Sequence, residues 1–296
     1  MVKKILSYCY IYLILLFIYL PVFYLIVYSF TASTTLGVWS GFSLNLYRDL
    51  FTNEETLIAL GNTLIIAAIS AAVSTLIGGL GAIGLYYCKK GFRNLCENIN
   101  QIPVVNAEIV IAMSLTVMFV FIGRYFFGEK SIFSFWTLLI GHCCLGIPFV
   151  YLNVKPKLTQ MDPALYEAAL DLGSTPAKAL HQVILPQVLP GILSGLMLSF
   201  TLSLDDFIVT AFTRGSGLLS GTSQIETLST LVQTKIKKGS LPPELRALTT
   251  LIFLIVLAIV IFRSIQVNRQ ARKAKNNLVD THAKKRAHLN IRSSVK

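Results

Sequence analysis

The sequence predicts an all-α integral membrane protein of six transmembrane helices, with both termini on the cytoplasmic side. Three observations carry that prediction. Of the 296 residues, 54% are hydrophobic and only 14% charged, where a soluble domain carries roughly 25% charged residues; the mean hydropathy is +0.66. Six apolar segments, near 5–30, 63–87, 102–121, 132–152, 190–212 and 248–262, suit helices crossing about 30 Å of hydrocarbon. With the N-terminus inside, 18 of the 26 Lys and Arg residues fall in cytoplasmic segments, as the positive-inside rule requires.

The net charge of +12 does not point to nucleic acid. Ten of the basic residues lie from Arg263 onward, and most of the others flank apolar runs, which is the pattern of membrane orientation. The residues from 266 to 296 form a basic, polar tail, expected to be disordered or a frayed helix on the cytoplasmic side. Five cysteines, Cys9, Cys88, Cys96, Cys143 and Cys144, contain no CxxC pair; they read as small buried hydrophobes. The apolar run behind Lys3 and Lys4 is too long for a signal-peptide core, so it is read as a retained first helix.

In the first outer loop, Trp39, Phe42 and Tyr47 suit interfacial anchors. The second span contains Gly79, Gly81 and Gly84 in a literal GxGxxG. A dinucleotide fingerprint must follow a strand, so these glycines, with Ala67, Ala71 and Ala72, are expected to let helices approach closely. No GxxxxGK[ST] loop occurs, and the chain has no phosphate cradle of that type. Glu108 falls inside the third span, nearer its cytoplasmic end. A carboxylate there is costly unless it meets water or a partner. His142, beside Cys143 and Cys144, reads as packing, since neighbouring helical positions diverge. No metal site, catalytic residue or cofactor site is predicted in this chain.

The loop at about 153–189 is a polar island. Asp162-Pro163 is a helix-start signal with Glu167 in the first turn, and Gly173 suits a left-handed C-cap. Thr175-Pro176 repeats the start signal, and a second short helix is expected to end at Pro186. Leu165, Ala168, Ala169 and Leu172 give the first helix an apolar stripe with small central residues, suited to a groove. The fifth span then carries Asp205 and Asp206 without a basic residue to offset them. Consecutive residues diverge by about 100°, so at most one of the two points squarely into a pore. The other is expected to bond a hydroxyl such as Ser203 or Thr210, or a neighbouring helix. An acidic pathway favours cations. In the last outer loop, Ile225, Leu228, Leu231 and Val232 at helical spacing suit either a docking surface or an interfacial helix.

Glu167, Ala168, Ala169, Gly173, Val183, Leu185 and Pro186 fit the spacing E-A-A-x3-G-x9-I-x-L-P, with Val183 in place of Ile. This resembles the signature loop of permease subunits of binding-protein-dependent ABC importers, which share the type I permease fold. The resemblance implies that these seven residues couple the chain to a separate ATP-binding subunit and that 1–265 form the permease domain. It also implies alternating access driven by ATP hydrolysed in the partner. Residues 109–115, 199–206 and the run from Trp39 to Tyr47 are similar to the second of the two permeases of spermidine/putrescine importers. That narrower resemblance implies a polyamine cargo, with Asp205, Asp206 and Glu108 along the pathway. The implied partners are a second permease, two ATP-binding subunits, an extracytoplasmic polyamine-binding protein and membrane lipid. The same architecture with another small solute, ferric iron or thiamine, is the alternative. An intramembrane enzyme or a non-transporting scaffold is a remote one. Relatives tend to carry Pro-Asp where this chain has Ala107-Glu108.

Overall fold

The computed structural model describes residues 2–33, 35, 37–128, 132–215, 225–239, 242–258 and 261. The basic tail at 266–296 lies outside them. The chain divides into two compact units, Met1–Thr52 with Pro242 onward, and Asn53–Leu241.

In the first unit, α1 (Val2–Ser29) is apolar on every side, and none of its most apolar window is buried. A helix of this kind suits lipid or another apolar helix as its surroundings. Thr31 pairs with Phe42 in an isolated antiparallel bridge, which folds the following loop back on the helix end. There Phe30 packs between Phe42 and Tyr47, with ring centroids 5.7 and 5.3 Å away. The Ser29 and Tyr47 hydroxyls are 2.9 Å apart, which ties α2 (Asn45–Thr52) to α1. Trp39 meets Tyr28 edge to face at 6.1 Å. The loop aromatics therefore pack against the end of the first helix. Residues 244–258 are also helical (α12).

The second unit is built on three long helices, α3 (Glu54–Tyr86), α6 (Phe135–Gln160) and α9 (Leu185–Asp205), packed pairwise. Local chemistry sets their starts. Asn53 accepts from the Thr56 N–H and is followed by Glu54 and Glu55 in the first turn of α3, a cap worth about 1 kcal/mol. Ser134 and Thr137 form a capping box at the start of α6. Lipid supplies no hydrophobic drive between helices, so close contact must come from small residues. A Cβ on Gly78 would lie 2.8 Å from the Ile147 carbonyl oxygen and 2.9 Å from the Val150 Cβ. One on Gly146 would collide with the hydroxyls of Ser74 and Ser199. The close-approach glycines are thus not those of the GxGxxG: Gly79, Gly81 and Gly84 face open space at their Cβ positions. Ala67 and Ala71 are buried as expected, whereas Ala72 is exposed.

Five described helices are long and apolar enough to cross a membrane: Tyr8–Ser29, Glu54–Tyr86, Glu108–Phe127, Phe135–Gln160 and Pro176–Asp205. Two of the predicted spans differ in an informative way. The third is two helices, an amphipathic α4 (Lys90–Val105) and an apolar α5 (Glu108–Phe127), separated by extended backbone at Asn106 and Ala107. The fifth stops at Asp206 and restarts as α10 (Ile208–Thr213). Outside these, α11 (Leu228–Lys237) packs on α3. Its Lys235 is 2.7 Å from Glu55, and the Asn62 amide donates to the Glu226 carbonyl. This outer segment is therefore tied to the helix bundle.

Candidate functional site

Two arrangements of polar residues stand out, one at the helix breaks and one in the loop before α9.

At the breaks, Glu108, Asp205 and Asp206 line a single cavity of about 510 Å³, together with Asn106, Leu145, Phe149, Leu202 and Phe207. Asp206 is only 6% exposed. Its backbone leaves the helix with ψ 118°, and its carboxylate caps α10, accepting from the N–H groups of Val209 (3.2 Å) and Thr210 (2.9 Å). The Thr210 hydroxyl donates to the same carboxylate at 3.0 Å. Asp205, one residue earlier, is exposed. Glu108 lines the same cavity as the two aspartates. Carboxylates gathered in one cavity repel unless a proton or a cation comes between them. The wall is therefore built for positive charge, and its aromatic rings suit the same ligand class.

The placement of Glu108 corrects the sequence reading, which set it nearer the cytoplasmic end of its span. His142, which stands 3.5 Å from Asp206, is seven residues into α6, about 10 Å along it. Glu108 lies at that level because residues 90–105 form a separate helix that climbs beside α6. Glu97 fixes the climb, accepting from Lys155 (2.8 Å) and from the Tyr151 hydroxyl (2.9 Å). The Lys155 hydrogen bond holds the Glu97 carboxyl below the ordinary glutamate range.

His142 is a second correction. It is not a packing residue alone: both ring nitrogens are hydrogen-bonded, Nδ1 with the Ser203 hydroxyl at 2.7 Å and Nε2 with that of Thr210 at 3.0 Å. Polar side chains inside apolar spans must find partners. That Ser70, His142, Ser203 and Thr210 are all such residues is the signal that could have linked them. Among the described residues, no group of three His, Cys, Asp or Glu is placed to hold a metal ion.

In the loop, α7 (Ala164–Asp171) ends in a Schellman motif, with Ser174 N–H on the Ala169 carbonyl and Gly173 N–H on that of Leu170. Gly173 has φ +82°, which glycine adopts without the Cβ penalty. Asp162 accepts from the Ala164 N–H at 3.0 Å, and Thr175 caps α8 (Pro176–Ala179). The second helix does not stop at Pro186. A π-helical turn, Leu180–Ile184, carries it directly into α9, with the Leu185 N–H on the Leu180 carbonyl just before Pro186. Glu167, Ala168 and Pro186 are exposed, Ala169 and Val183 half-buried, and Leu185 packs on the core. Leu172 is 87% exposed. The residue that seats the loop is one the motif leaves unspecified. Ile184 is fully buried among Ala82, Val150, Val154, Leu158 and Val188.

Residues 74–275 match the family described as the binding-protein-dependent transport system inner membrane component. The spermidine/putrescine transport system permease protein PotC of Haemophilus influenzae is 34% identical over 245 residues, covering 83% of this chain and 90% of that protein. The putrescine transport system permease protein PotI of Escherichia coli is 32% identical over 241 residues, 80% of this chain and 81% of its own. The fold matches a chain of the crystal structure of a bacterial ABC transporter involved in import of the acidic polysaccharide alginate. That match has a TM-score of 0.66 at 19% identity, over 88% of this chain and 91% of that one. The chain therefore belongs to the binding-protein-dependent inner-membrane transport components, as a transporter subunit with the type I importer permease fold.

Proposed function

We propose that this chain is the polyamine-conducting permease of an ATP-driven importer, forming half of a pathway for spermidine or putrescine. The observation that carries the reading is the cavity in which Glu108, Asp205 and Asp206 converge beside Phe149 and Phe207. A polyamine is a string of ammonium groups on a methylene chain. Carboxylates in a low-dielectric wall attract the former, and Leu145 and Leu202 suit the latter. The names of the two polyamine permeases support the same cargo.

Residues 1–265 form the permease domain in this reading, with the N-terminus and the basic tail from 266 in the cytoplasm. The loop at about 153–189 meets the ATP-binding subunit. The exposed Glu167, Ala168 and Leu172 on a capped two-turn helix suit insertion into a groove, with Ala169, Gly173, Val183, Leu185 and Pro186 shaping and seating the contact. The chain has no nucleotide motif of its own, so ATP binds and is hydrolysed in two partner subunits. A second permease completes the pathway, and an extracytoplasmic polyamine-binding protein delivers the cargo.

The test is uptake by the complete complex in proteoliposomes, with labelled spermidine and putrescine and with thiamine and ferric iron as competitors. Saturable, ATP-dependent polyamine uptake that falls about tenfold or more in Asp205→Asn is expected. Uptake of thiamine or iron in place of polyamine would overturn the cargo.

A further inference from the structure

We infer that His142 is a positioning residue for cargo recognition, the central link of a one-way chain of hydrogen bonds that holds the Asp206 carboxylate against the cavity. The inference rests on the reading of that cavity as the cargo site.

The direction of the chain follows from donor and acceptor capacity. The Thr210 hydroxyl lies 3.0 Å from a carboxylate oxygen of Asp206 and 3.2 Å from its carbonyl oxygen. The carbonyl oxygen cannot donate, and with the Asp206 carboxylate ionised neither can its side-chain oxygen, so the single Thr210 proton is directed at Asp206. The Thr210 lone pairs are then left for His142, 3.0 Å away, and Nε2 must carry the hydrogen. In the neutral ring Nδ1 is then an acceptor, and Ser203 donates to it across 2.7 Å. Ser203 accepts in turn from Ser70 at 3.0 Å. The O–H of Ser203 on α9, the N–H of His142 on α6 and the O–H of Thr210 on α10 all point towards Asp206, and the Ser70 hydroxyl on α3 is shared between Ser203 and the Ala67 carbonyl at 3.2 Å. The two backbone N–H groups of α10 point there as well.

A chain that served only to staple helices could end on any group. This one ends on the carboxylate that lines the cavity together with Glu108. Its consequence is an unequal pair. Asp206 is fixed by four helices, whereas Asp205 is exposed. A fixed carboxylate sets where one ammonium group sits, and an adaptable one accommodates the spacing to the next.

Two substitutions at His142 separate this role from packing. In His142→Gln an amide nitrogen can occupy the Nε2 position and still reach Thr210. In His142→Asn the amide reaches only as far as Nδ1, so it can meet Ser203 but not Thr210. Measured as spermidine uptake by the complete complex, His142→Asn should raise the half-saturating concentration about tenfold with little change in maximal rate. His142→Gln should restore most of that affinity. Thr210→Val, which removes the last link at similar volume, should reproduce the His142→Asn shift, and the double variant should be no worse than either.

Unchanged half-saturation in His142→Asn and Thr210→Val would overturn the positioning role alone. So would equal losses in the Asn and Gln variants, fully additive losses in the double variant, or failure of every variant to assemble. Absence of polyamine uptake by the wild-type complex would overturn the cargo reading instead.

Discussion

Asp205 and Asp206 are consecutive, yet the first is exposed and the second only 6% exposed, because α9 ends between them and the chain turns out of the helix. Two acids that composition treats alike therefore have different tasks. Asp206→Ala removes the acceptor for two backbone N–H groups and one hydroxyl. It should cost about 1–3 kcal/mol of stability, read as a lower thermal midpoint of the purified complex. Asp205→Ala should leave that midpoint within about 0.5 kcal/mol of wild type, with the loss confined to cargo affinity. Equal destabilisation by both would contradict this division.

Gly173 holds φ +82° at the bend between α7 and α8. A side chain there meets no neighbouring atom, so the effect of substitution is one of backbone conformation. Gly173→Ala should cost about 1 kcal/mol and loosen the angle at which α7 is presented. Gly173→Asn, better tolerated in the left-handed region, should cost less. The readout is ATP hydrolysis stimulated by loaded binding protein. Stimulation should fall severalfold in the alanine variant and recover partly with asparagine, while the amount of permease in the membrane changes little.

How much of this was legible in the sequence depended on whether the signal was local. The spans near 5–30 and 132–152 could be read because an apolar run of that length has few other uses in a chain. The Gly173 cap and the Asp162 and Thr175 starts were equally local. The break between α4 and α5 was not, because Ile99, Ile102 and Val105 continue an apolar pattern into α5 although they are exposed on an amphipathic helix. Without that break, the sequence pattern puts Glu108 nearer the cytoplasmic end of one continuous span. The bond from Asp206 to Thr210 could be anticipated from the need of a buried carboxylate for a hydroxyl, four residues away on the same segment. The links to His142 and Ser70 join residues 64 to 136 positions from Asp206, and nothing in a single sequence orders such pairs. Ile184 carries no signal of its own in the sequence, because the motif specifies only the residues on either side of it.

The tie between α4 and α6 makes a pH prediction. Glu97 accepts from Lys155 and Tyr151, and its carboxyl is held below the ordinary value of 4.5, chiefly by the Lys155 hydrogen bond. A carboxyl depressed on folding binds protons less readily folded than unfolded, so its contribution is complete above 4.5 and is lost as pH falls towards the folded-state value. The pair is partly exposed, and its contribution should be no more than about 1 kcal/mol. Wild type should therefore melt slightly above Glu97→Gln at pH 6 to 7, and the two should converge as pH drops below 4.5. A gap that widened in acid would contradict the assignment.

Ala107 keeps a proline-compatible backbone conformation without being proline. Its φ is −63° with ψ 135°, close to the angle at which the proline ring is locked. The residue before it, Asn106, is extended at φ −77° and ψ 152°, as a following proline requires. Among the described residues the Ala107 N–H donates to no backbone carbonyl, so replacing it forfeits no such bond. The break between α4 and α5 is therefore set by its surroundings and not by an imino acid. Substituting one there restricts mainly the unfolded chain. Ala107→Pro should stabilise the permease by about 0.4–1 kcal/mol and leave Glu108 at the cavity, with spermidine affinity within about twofold of wild type. Thermal unfolding of the purified complex and uptake in proteoliposomes check the two halves separately. A lower midpoint would mean that the extended geometry at Asn106 and Ala107 does not persist in the working transporter. A higher midpoint with lost uptake would mean that the break must flex during the transport cycle.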